Sequence, residues 1–336
     1  MNYSRYFIFT IALSLSLFML LGLFNYFVNP YNIFAIERIE GLNTFKPEAG
    51  KRVRTFKKYQ PIYQQPHTLI IGNSRVEMGL DPHHRVFSHI PSVYNLGVPG
   101  LGVNSQLQYA QRVIQSASVK QVIIAIDFAD FLTRTAHQFK PNVLHVQPIK
   151  EKYAALWSLD SLKASIVTLV RQDSLGSNRL TNGFNPANDY IPIIQYEGQD
   201  VLFEQKIDML HKMFKDKVWD QQLMLNEHNS DLAILQQYLT PWIEQDITIK
   251  LFINPYHRDY YVTLAQHDLL TSFDDWRALM AERFSHQVDF CDFTALGYDK
   301  SDNRLNKSEL AFFWEPAHYK KELGDIMLPQ IVKGCL

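Results

Sequence analysis

The sequence predicts an α/β fold with three layers, α/β/α, around a mainly parallel sheet, preceded by one N-terminal transmembrane helix. Short, almost continuously apolar runs alternate with longer segments of helical periodicity, as is typical of parallel strands covered on both faces. Apolar residues make up 46% of the 336-residue chain and charged residues 20%, so a large core can form. The formal net charge of −1 provides no general basic field, so we expect no nucleic-acid partner.

The first predicted element is an uncharged run of about 23 residues, 6–28, which reads YFIFTIALSLSLFMLLGLFNYFV. At 1.5 Å per residue, such a helix can cross a hydrocarbon core of roughly 30 Å. The run exceeds the apolar core of a secretory signal, and no A-x-A cleavage pattern follows it. Residues 1–30 are therefore predicted to be a cytoplasmic tip and an uncleaved signal anchor in the lipid bilayer. A buried core helix is the alternative, but the run is apolar on all faces.

The charges beside this run indicate its orientation. Arg5 precedes it, whereas Glu37, Arg38 and Glu40 follow it and nearly cancel. The positive-inside rule then favours a cytoplasmic N-terminus at the inner or plasma membrane, with the large domain on the periplasmic or extracytoplasmic side. A basic stretch at 51–58 has the opposite influence but lies further from the run. It is either a patch that binds anionic headgroups or a solvated face.

Two regions interrupt the regular pattern. Residues 31–66 contain several prolines and little periodicity, and we predict a linker there. The α/β domain then covers 67–336. Within it, residues 131–245 lose the strand–helix alternation and are predicted to form a helical insertion. The insertion is either a cap over the sheet or an additional helical layer.

The remaining elements follow from apolar runs and capping residues. One helix is predicted at 104–117 with Asn104 as its N-cap, a second near Ser272 with that serine as its cap, and a third from Tyr319 towards the C-terminus. Five strands are predicted, with the sequences HTLIIG, SVYNLG, QVIIAIDF, ITIKLFINP and QVDFCDF.

Three segments carry side chains suited to nucleophilic chemistry. Ser74 follows the first predicted strand, and the glycine-rich stretch 95–103 follows the second. Ligands bind beyond the carboxyl ends of parallel strands. Near the C-terminus, Glu315 precedes His318 by three residues. A serine hydroxyl becomes a good nucleophile when a histidine removes its proton, and a carboxylate orients that histidine.

The sequence lacks the motifs of several other kinds of site. The chain contains no P-loop and no G-x-S-x-G elbow, and the glycines of 97–102 have the wrong spacing for a dinucleotide fingerprint. Cys291 and Cys335 are the two cysteines. They cannot form a zinc site alone, and they are either a disulfide or two unpaired thiols. We expect no metal and no organic cofactor.

The three segments together resemble the motif blocks of the SGNH hydrolase superfamily, also called GDSL hydrolases. Residues 72–74 read Gly-Asn-Ser where the family has Gly-Asp-Ser. Many membrane-anchored bacterial relatives carry Gly-x-Ser-Arg, which Arg75 completes. The stretch NLGVPG at 95–100 is similar to the oxyanion-hole block N-x-G-x-x-G, with Gly100 in the role of the donor. Residues 315–318, EPAH, match the Asp-x-x-His block with Glu for Asp.

This sequence departs from the family's pattern in one block. The third block normally supplies an Asn that completes the oxyanion hole. Here the corresponding strand end reads AIDFADF, with Asp127 and Asp130 in that neighbourhood. The loss of one oxyanion donor typically costs about 10²–10³ in rate.

The resemblance implies a role for each matched residue. Ser74 is the nucleophile, His318 the base and then the acid, and Glu315 the carboxylate that orients His318. The oxyanion hole consists of the backbone N–H groups of Ser74 and Gly100. Three further side chains are candidates for substrate binding: Asn73, Arg75 and Asp127. For Arg75, a salt bridge beside the helix start is the alternative.

The resemblance also implies a substrate class. Similar membrane-anchored proteins add or remove acyl groups, often acetyl, on cell-surface polysaccharides. We therefore expect a serine esterase or O-acyltransferase whose partners are an acylated carbohydrate or another ester, the bilayer, and other envelope polysaccharide proteins. Two alternatives are a catalytically impaired binding or assembly subunit, favoured by the missing Asn, and a lipid esterase or thioesterase, favoured by the membrane anchor.

Overall fold

The computed structural model describes residues 3–134, 146–172, 179–302 and 309–335. Parts of the predicted insertion, 135–145 and 173–178, lie outside the described residues. In the described ranges the strands are β1 Thr68–Gly72, β2 Val93–Gly97, β3 Gln121–Ile126, β4 Thr133–Arg134, β5 Lys217–Val218, β6 Thr248–Ile253, β7 Asp289–Asp292, β8 Phe313–Glu315 and β9 His318–Tyr319.

The α-helices of the same ranges vary from one turn to seven. They are α1 Tyr3–Val28, α2 Val53–Phe56, α3 Gln60–Gln64, α4 Ser74–Gly79, α5 Val103–Ile114, α6 Pro148–Trp157, α7 Leu159–Val170, α8 Tyr190–Glu197, α9 Gln199–Phe214, α10 Gln221–Asn226, α11 Asp231–Glu244, α12 Arg258–Gln266, α13 Leu270–Phe284, α14 Thr294–Asp299 and α15 Lys321–Lys333.

The centre of the fold is a five-stranded parallel sheet in the order β2-β1-β3-β6-β7. The predicted α/β class and parallel sheet are confirmed. The register places Gly72 opposite Gly97, so β1 and β2 end level with each other. The chain adds β2 on one side of β1 and then crosses over to add β3 on the other side. The carboxyl ends of β1 and β3 are therefore the switch point, where such sheets bind ligands.

Both faces of the sheet are buried, which explains the nearly continuous apolar strands. In β1, Leu69 and Ile71 belong to one apolar cluster, whereas Ile70 belongs to another. Helices α5, α11 and α13 contribute to the first cluster, and α4 and α15 contribute to the second. Alternate strand residues therefore face different helices.

Two predicted helix caps are wrong. Helix α5 begins at Val103 with the extended Gly102 as its N-cap, so Asn104 lies inside the first turn, where its side chain accepts a hydrogen bond from Gln108. Helix α13 begins at Leu270, so Ser272 also lies inside the helix. In both cases the helical backbone begins upstream of the best capping residue, because tertiary packing outweighs local capping preference.

The N-terminal helix is 26 residues long and mostly exposed. It is long and apolar enough to cross a membrane, as the sequence predicted. Gly22, Asn25 and Val28 are its buried residues, and the helix packs against α6 and α7.

The segment predicted as a linker, 31–66, packs against its surroundings. It contains α2 and α3, and it buries Tyr31, Phe34 and Phe56 in a small apolar cluster with Ala155 and Ala164. Lys57, from the basic stretch, is fully buried and donates to the Asn95 and Gly183 carbonyls at 2.7 and 2.6 Å. That lysine is therefore neither a headgroup ligand nor part of a solvated face.

The described part of the predicted insertion divides into three. Helices α6 and α7 pack against α1, and α9 packs against β8 near the C-terminal hairpin. Helix α11 packs on α5 and β6 and serves as an ordinary crossover helix of the sheet. The described part of the insertion is therefore neither one cap over the sheet nor one additional helical layer.

Cys291 and Cys335 form a disulfide with a Cα–Cα distance of 5.4 Å. It joins the edge strand β7 to the chain just after α15. This settles the alternative that the sequence left open.

Candidate active site

The turn after β1 is shaped by Gly72 and Asn73. A Cβ on Gly72 would lie 2.3 Å from Val76 Cγ2, so a larger residue does not fit there. Asn73 is the N-cap of α4, and its Oδ1 accepts a hydrogen bond from the Arg75 N–H at 3.0 Å. Asn is among the best N-cap residues for this reason. Ser74 thus becomes the first residue of α4, and its side chain is partly accessible.

Residues 244 positions apart in sequence meet at this turn. Ser74 Oγ lies 2.6 Å from His318 Nε2. The other ring nitrogen of His318, Nδ1, forms a hydrogen bond with Glu315 Oε1. The β8–β9 hairpin pairs Glu315 directly with His318, and Glu315 Oε2 accepts from the Ala317 N–H at 2.7 Å. The short hairpin therefore fixes the carboxylate against the imidazole.

The charges around His318 favour the neutral imidazole. Burial, followed by the positive charges of Lys206 and Arg75, lowers the pKa of His318 well below its ordinary value. A neutral ring can accept the Ser74 proton at neutral pH. Lys206 Nζ also lies 3.3 Å from Glu315 Oε1. Burial lowers the pKa of Lys206 itself to about 8.

The three predicted substrate-binding residues lie together in a buried network. Asp127 Oδ2 accepts from Asn73 Nδ2 and pairs with Arg75 Nη1 at 3.1 Å, and Asp127 Oδ1 accepts from Tyr256 Oη at 2.6 Å. The Arg75 guanidinium lies over the rings of Tyr256 and Tyr260. Burial alone would lower the pKa of Arg75, but the Asp127 carboxylate, together with Tyr256, Tyr260 and Asp130, outweighs burial and raises it. The salt bridge, left open by the sequence, is therefore present.

A second buried network, centred on Glu77, restrains α4. Glu77 accepts from Arg179 Nε at 2.8 Å and from Arg179 Nη2 at 3.1 Å, and its Oε1 lies 3.5 Å from Lys57 Nζ. Asn185 donates to the same carboxylate at 3.4 Å. Since Glu77 lies one turn after Ser74, these contacts restrain the helix that presents the serine.

The glycines of the second motif have different surroundings. A Cβ on Gly97 would lie 2.8 Å from the Asn73 carbonyl oxygen and 2.5 Å from the Glu77 nitrogen, so Gly97 allows β2 to approach the serine turn. Gly100 adopts a φ of +66°, and its carbonyl accepts from Arg54 Nη2 at 3.1 Å. The proposed oxyanion donation by Gly100 stays a prediction.

Several residues near the site carried no recognisable sequence signal. Lys206 comes from α9 and Tyr256 from the loop after β6, both far from the motifs. Asp130, noticed as a neighbour of the third block, has a pKa raised by burial and then by Asp127. No three His, Cys, Asp or Glu side chains converge as metal ligands within the described ranges.

No family model matches the chain, and no curated protein matches it. The fold and the site define the chain as an α/β protein with a parallel sheet and a Ser–His–Glu arrangement at the switch point, with Ser74 partly accessible.

Proposed function

We propose that this protein is a serine esterase or O-acyltransferase anchored in a membrane. The observation that carries the proposal is the continuous line of hydrogen bonds from Ser74 Oγ through His318 to Glu315. A nucleophile, a base within 2.6 Å and a carboxylate behind the base are the arrangement needed for acyl transfer.

In the proposed reaction, Ser74 Oγ attacks the ester carbonyl carbon and its proton passes to His318 Nε2. The carbonyl oxygen becomes an oxyanion, for which the N–H groups of Ser74 and Gly100 are the proposed donors. Collapse of the intermediate breaks the ester C–O bond, and His318 returns the proton to the leaving alcohol. Water or an acceptor hydroxyl then attacks the acyl-serine, with His318 again as base. The bond between the acyl carbon and Ser74 Oγ breaks, and His318 returns the proton to Ser74 Oγ. Glu315 keeps the Nδ1 proton of His318 in place throughout.

We further propose an SGNH-like three-layer fold. The support is the order of the motifs along the chain and their position at the carboxyl ends of β1 and β2, with the Glu-x-x-His hairpin beside them. Helical contributions to the apolar clusters on each face of the sheet favour the same arrangement.

The proposed location is the extracytoplasmic side of the membrane, with an acylated cell-surface polysaccharide as the substrate class. The long apolar helix α1 supports membrane attachment. The Cys291–Cys335 disulfide supports an oxidising compartment. Acetyl esters of carbohydrate are the first substrates to test, and a panel with longer acyl chains and thioesters distinguishes the lipid-esterase alternative.

The decisive experiment is labelling with a fluorophosphonate probe together with turnover of a small acetyl ester. We expect wild type to be labelled at Ser74, and Ser74→Ala to lose both labelling and turnover while its circular dichroism spectrum is unchanged. Ser118→Ala, at an exposed serine after α5, is the matched control and should behave as wild type. Unchanged turnover in Ser74→Ala would exclude the proposed nucleophile.

A second candidate function rests on Asp127. This residue occupies the strand end where the resembling family has an oxyanion-hole Asn, and Asn73, Arg75 and Tyr256 already engage its oxygens. A chain impaired in this way would serve as a binding or assembly subunit for envelope polysaccharide. Folded wild-type protein that resists the probe but binds acylated polysaccharide would favour this function.

A further inference from the structure

Helix α7 has an unusual distribution of side chains. Its buried residues are small or polar: Ser161, Ala164, Ser165 and Thr168. Beside the exposed charged residues Asp160 and Lys163, it exposes three large apolar residues, with Leu159 81%, Ile166 50% and Val170 79% exposed. At 3.6 residues per turn these three residues lie directly opposite the buried stripe. A surface helix of a water-soluble domain shows the reverse pattern.

The buried stripe of α7 belongs to an interface with α1. Ser165 Oγ donates to Asn25 Oδ1 at 2.7 Å, and Asn25 Nδ2 donates to the Leu156 carbonyl at 2.6 Å. Small residues and hydrogen bonds between helices are typical of helix pairs in membranes. Asn25 is fully buried, so this contact is a close one.

The α6–α7 hairpin also extends along the apolar length of α1. At its tip, the Trp157 ring stacks on Phe18 with 5.2 Å between centroids, and Trp157 Nε1 donates to the Phe18 carbonyl at 3.2 Å. Phe18 lies ten residues before the end of α1 at Val28, which is about 15 Å along the helix axis. Gly22 provides the space for the indole, since a Cβ there would lie 2.6 Å from Trp157 Nε1.

We propose that α7 lies in the bilayer beside α1, with Leu159, Ile166 and Val170 against the lipid acyl chains. Helix α7 packs directly against α1, which is apolar and mostly exposed along its length, and this argues for lipid as the occupant of the face that these three residues form. Lys163, at the margin of this face, is long enough for its amine to reach the headgroups. The twelve residues of α7 are too few to span a bilayer, so the hairpin enters one leaflet only.

This proposal goes beyond the proposed function and does not depend on it. It predicts that two elements hold the domain to the membrane. Their hydrogen-bonded packing fixes how the domain, and with it Ser74, is oriented above the lipid surface. A single helix with a flexible linker would leave the domain free to rotate.

The test uses the full-length protein in phosphatidylcholine–phosphatidylglycerol vesicles with a polarity-sensitive fluorophore on Ile166→Cys. Without reductant, the native cysteines stay in their disulfide and are not labelled. Val262→Cys is the matched control, because Val262 is an exposed apolar residue, 55% accessible, on α12, which packs against α9 and α13. Val170→Cys provides a second site on the proposed lipid face.

We expect blue-shifted emission from labels at Ile166 and Val170, and quenching of roughly two-fold or more by lipids with a nitroxide high on the acyl chain. The label at Val262 should emit as in water and stay unquenched. Water-like emission at Ile166 and Val170 would overturn the proposal. Blue-shifted emission without quenching by the lipids would also overturn it, since a second copy or another protein would then cover the face.

Discussion

At the scale of single residues, the site depends on the balance of charges around His318. The ring has the Glu315 carboxylate on one side, and the cations Lys206 and Arg75 nearby. The Arg75 charge is already paired with Asp127. Lys206 is thus the cation whose removal changes the environment of the base most directly without breaking the buried Arg75–Asp127 pair.

We predict that Lys206→Met moves the acid limb of the kcat/KM profile to higher pH. Only neutral His318 accepts the serine proton, so activity falls as pH drops through the pKa of His318. In wild type that pKa lies well below its ordinary value, through burial, Lys206 and Arg75. Without the Lys206 charge, protonation costs less, the pKa of His318 rises, and activity is lost at a higher pH.

The control for this prediction is Lys212→Met on the same helix, α9. Lys212 is exposed, and its replacement should leave the acid limb of the kcat/KM profile at the same pH as in wild type. The measurement is ester turnover from pH 4 to pH 9, with labelling of Ser74 by a fluorophosphonate as a second readout. An acid limb that stays in place or moves to lower pH in Lys206→Met would contradict the proposed influence.

The sequence predicted the positions of Ser74, Glu315 and His318 because each stands in a short motif with a chemical rationale. The geometry brings these side chains into one hydrogen-bonded line, although their catalytic roles stay predictions. Lys206 and Tyr256 could not be predicted in the same way. Each reaches the site through the packing of a distant element, and a lone lysine or tyrosine in a sequence gives no sign of such a contact.

At the scale of elements, the junction between α1 and the α6–α7 hairpin depends on Asn25. Its amide links the Leu156 carbonyl of α6 to the Ser165 hydroxyl of α7, and its side chain is inaccessible to water. A buried polar group that loses its partner costs about 1–3 kcal/mol. The three helices should therefore respond together to a change at this residue.

We predict that Asn25→Leu loosens the hairpin, because it leaves the Leu156 carbonyl and the Ser165 hydroxyl without their partner. Amide hydrogen exchange of residues 148–170 should become about 5–150-fold faster, which corresponds to the cost of about 1–3 kcal/mol for the lost hydrogen bonds. Thr10→Ala, at an exposed position of α1, is the control. Unchanged exchange in Asn25→Leu would show that the helices are held without this amide.

Strands proved easier to predict than helix ends. The three inner strands β1, β3 and β6 correspond to apolar runs, since burial on both faces leaves little choice of residue. Helix starts depend on tertiary contacts, as the errors at Asn104 and Ser272 show. The division of the insertion could not be predicted either. It depends on which distant partner each helix meets, and helical periodicity alone does not specify a partner.

At the scale of the whole molecule, the N-terminal segments form part of the folded unit. Lys46 Nζ donates to the Val28 and Asn29 carbonyls at 2.8 and 3.0 Å, at the end of α1. Arg38 Nη2 donates to the Arg179 carbonyl at 2.6 Å. The first contacts join the end of α1 to the segment 31–66, and the last joins that segment to residue 179 of the α/β domain.

The C-terminal part of the chain is joined to the sheet by the Cys291–Cys335 disulfide, which closes a loop with a sequence separation of 44. A loop of this size is expected to stabilise the fold by about 2–4 kcal/mol, chiefly by restricting the unfolded chain. The bond lies at β7, which is three strands from β1 in the sheet order, or about 14 Å from it. Removal of the disulfide should therefore lower the free energy of unfolding without changing the reactivity of Ser74.

We predict that the double variant Cys291→Ser with Cys335→Ser loses about 2–4 kcal/mol in urea unfolding of the detergent-solubilised protein. Reduction of wild type by dithiothreitol should give a similar loss and should not affect the double variant further. Labelling of Ser74 by the fluorophosphonate should continue at the wild-type rate at 25 °C, because the turn after β1 and the β8–β9 hairpin, which carry Ser74, Glu315 and His318, do not contain the disulfide. Equal stability of wild type with and without reductant would contradict a stabilising role. A large loss of labelling in the folded double variant would show that the edge of the sheet and the site are coupled.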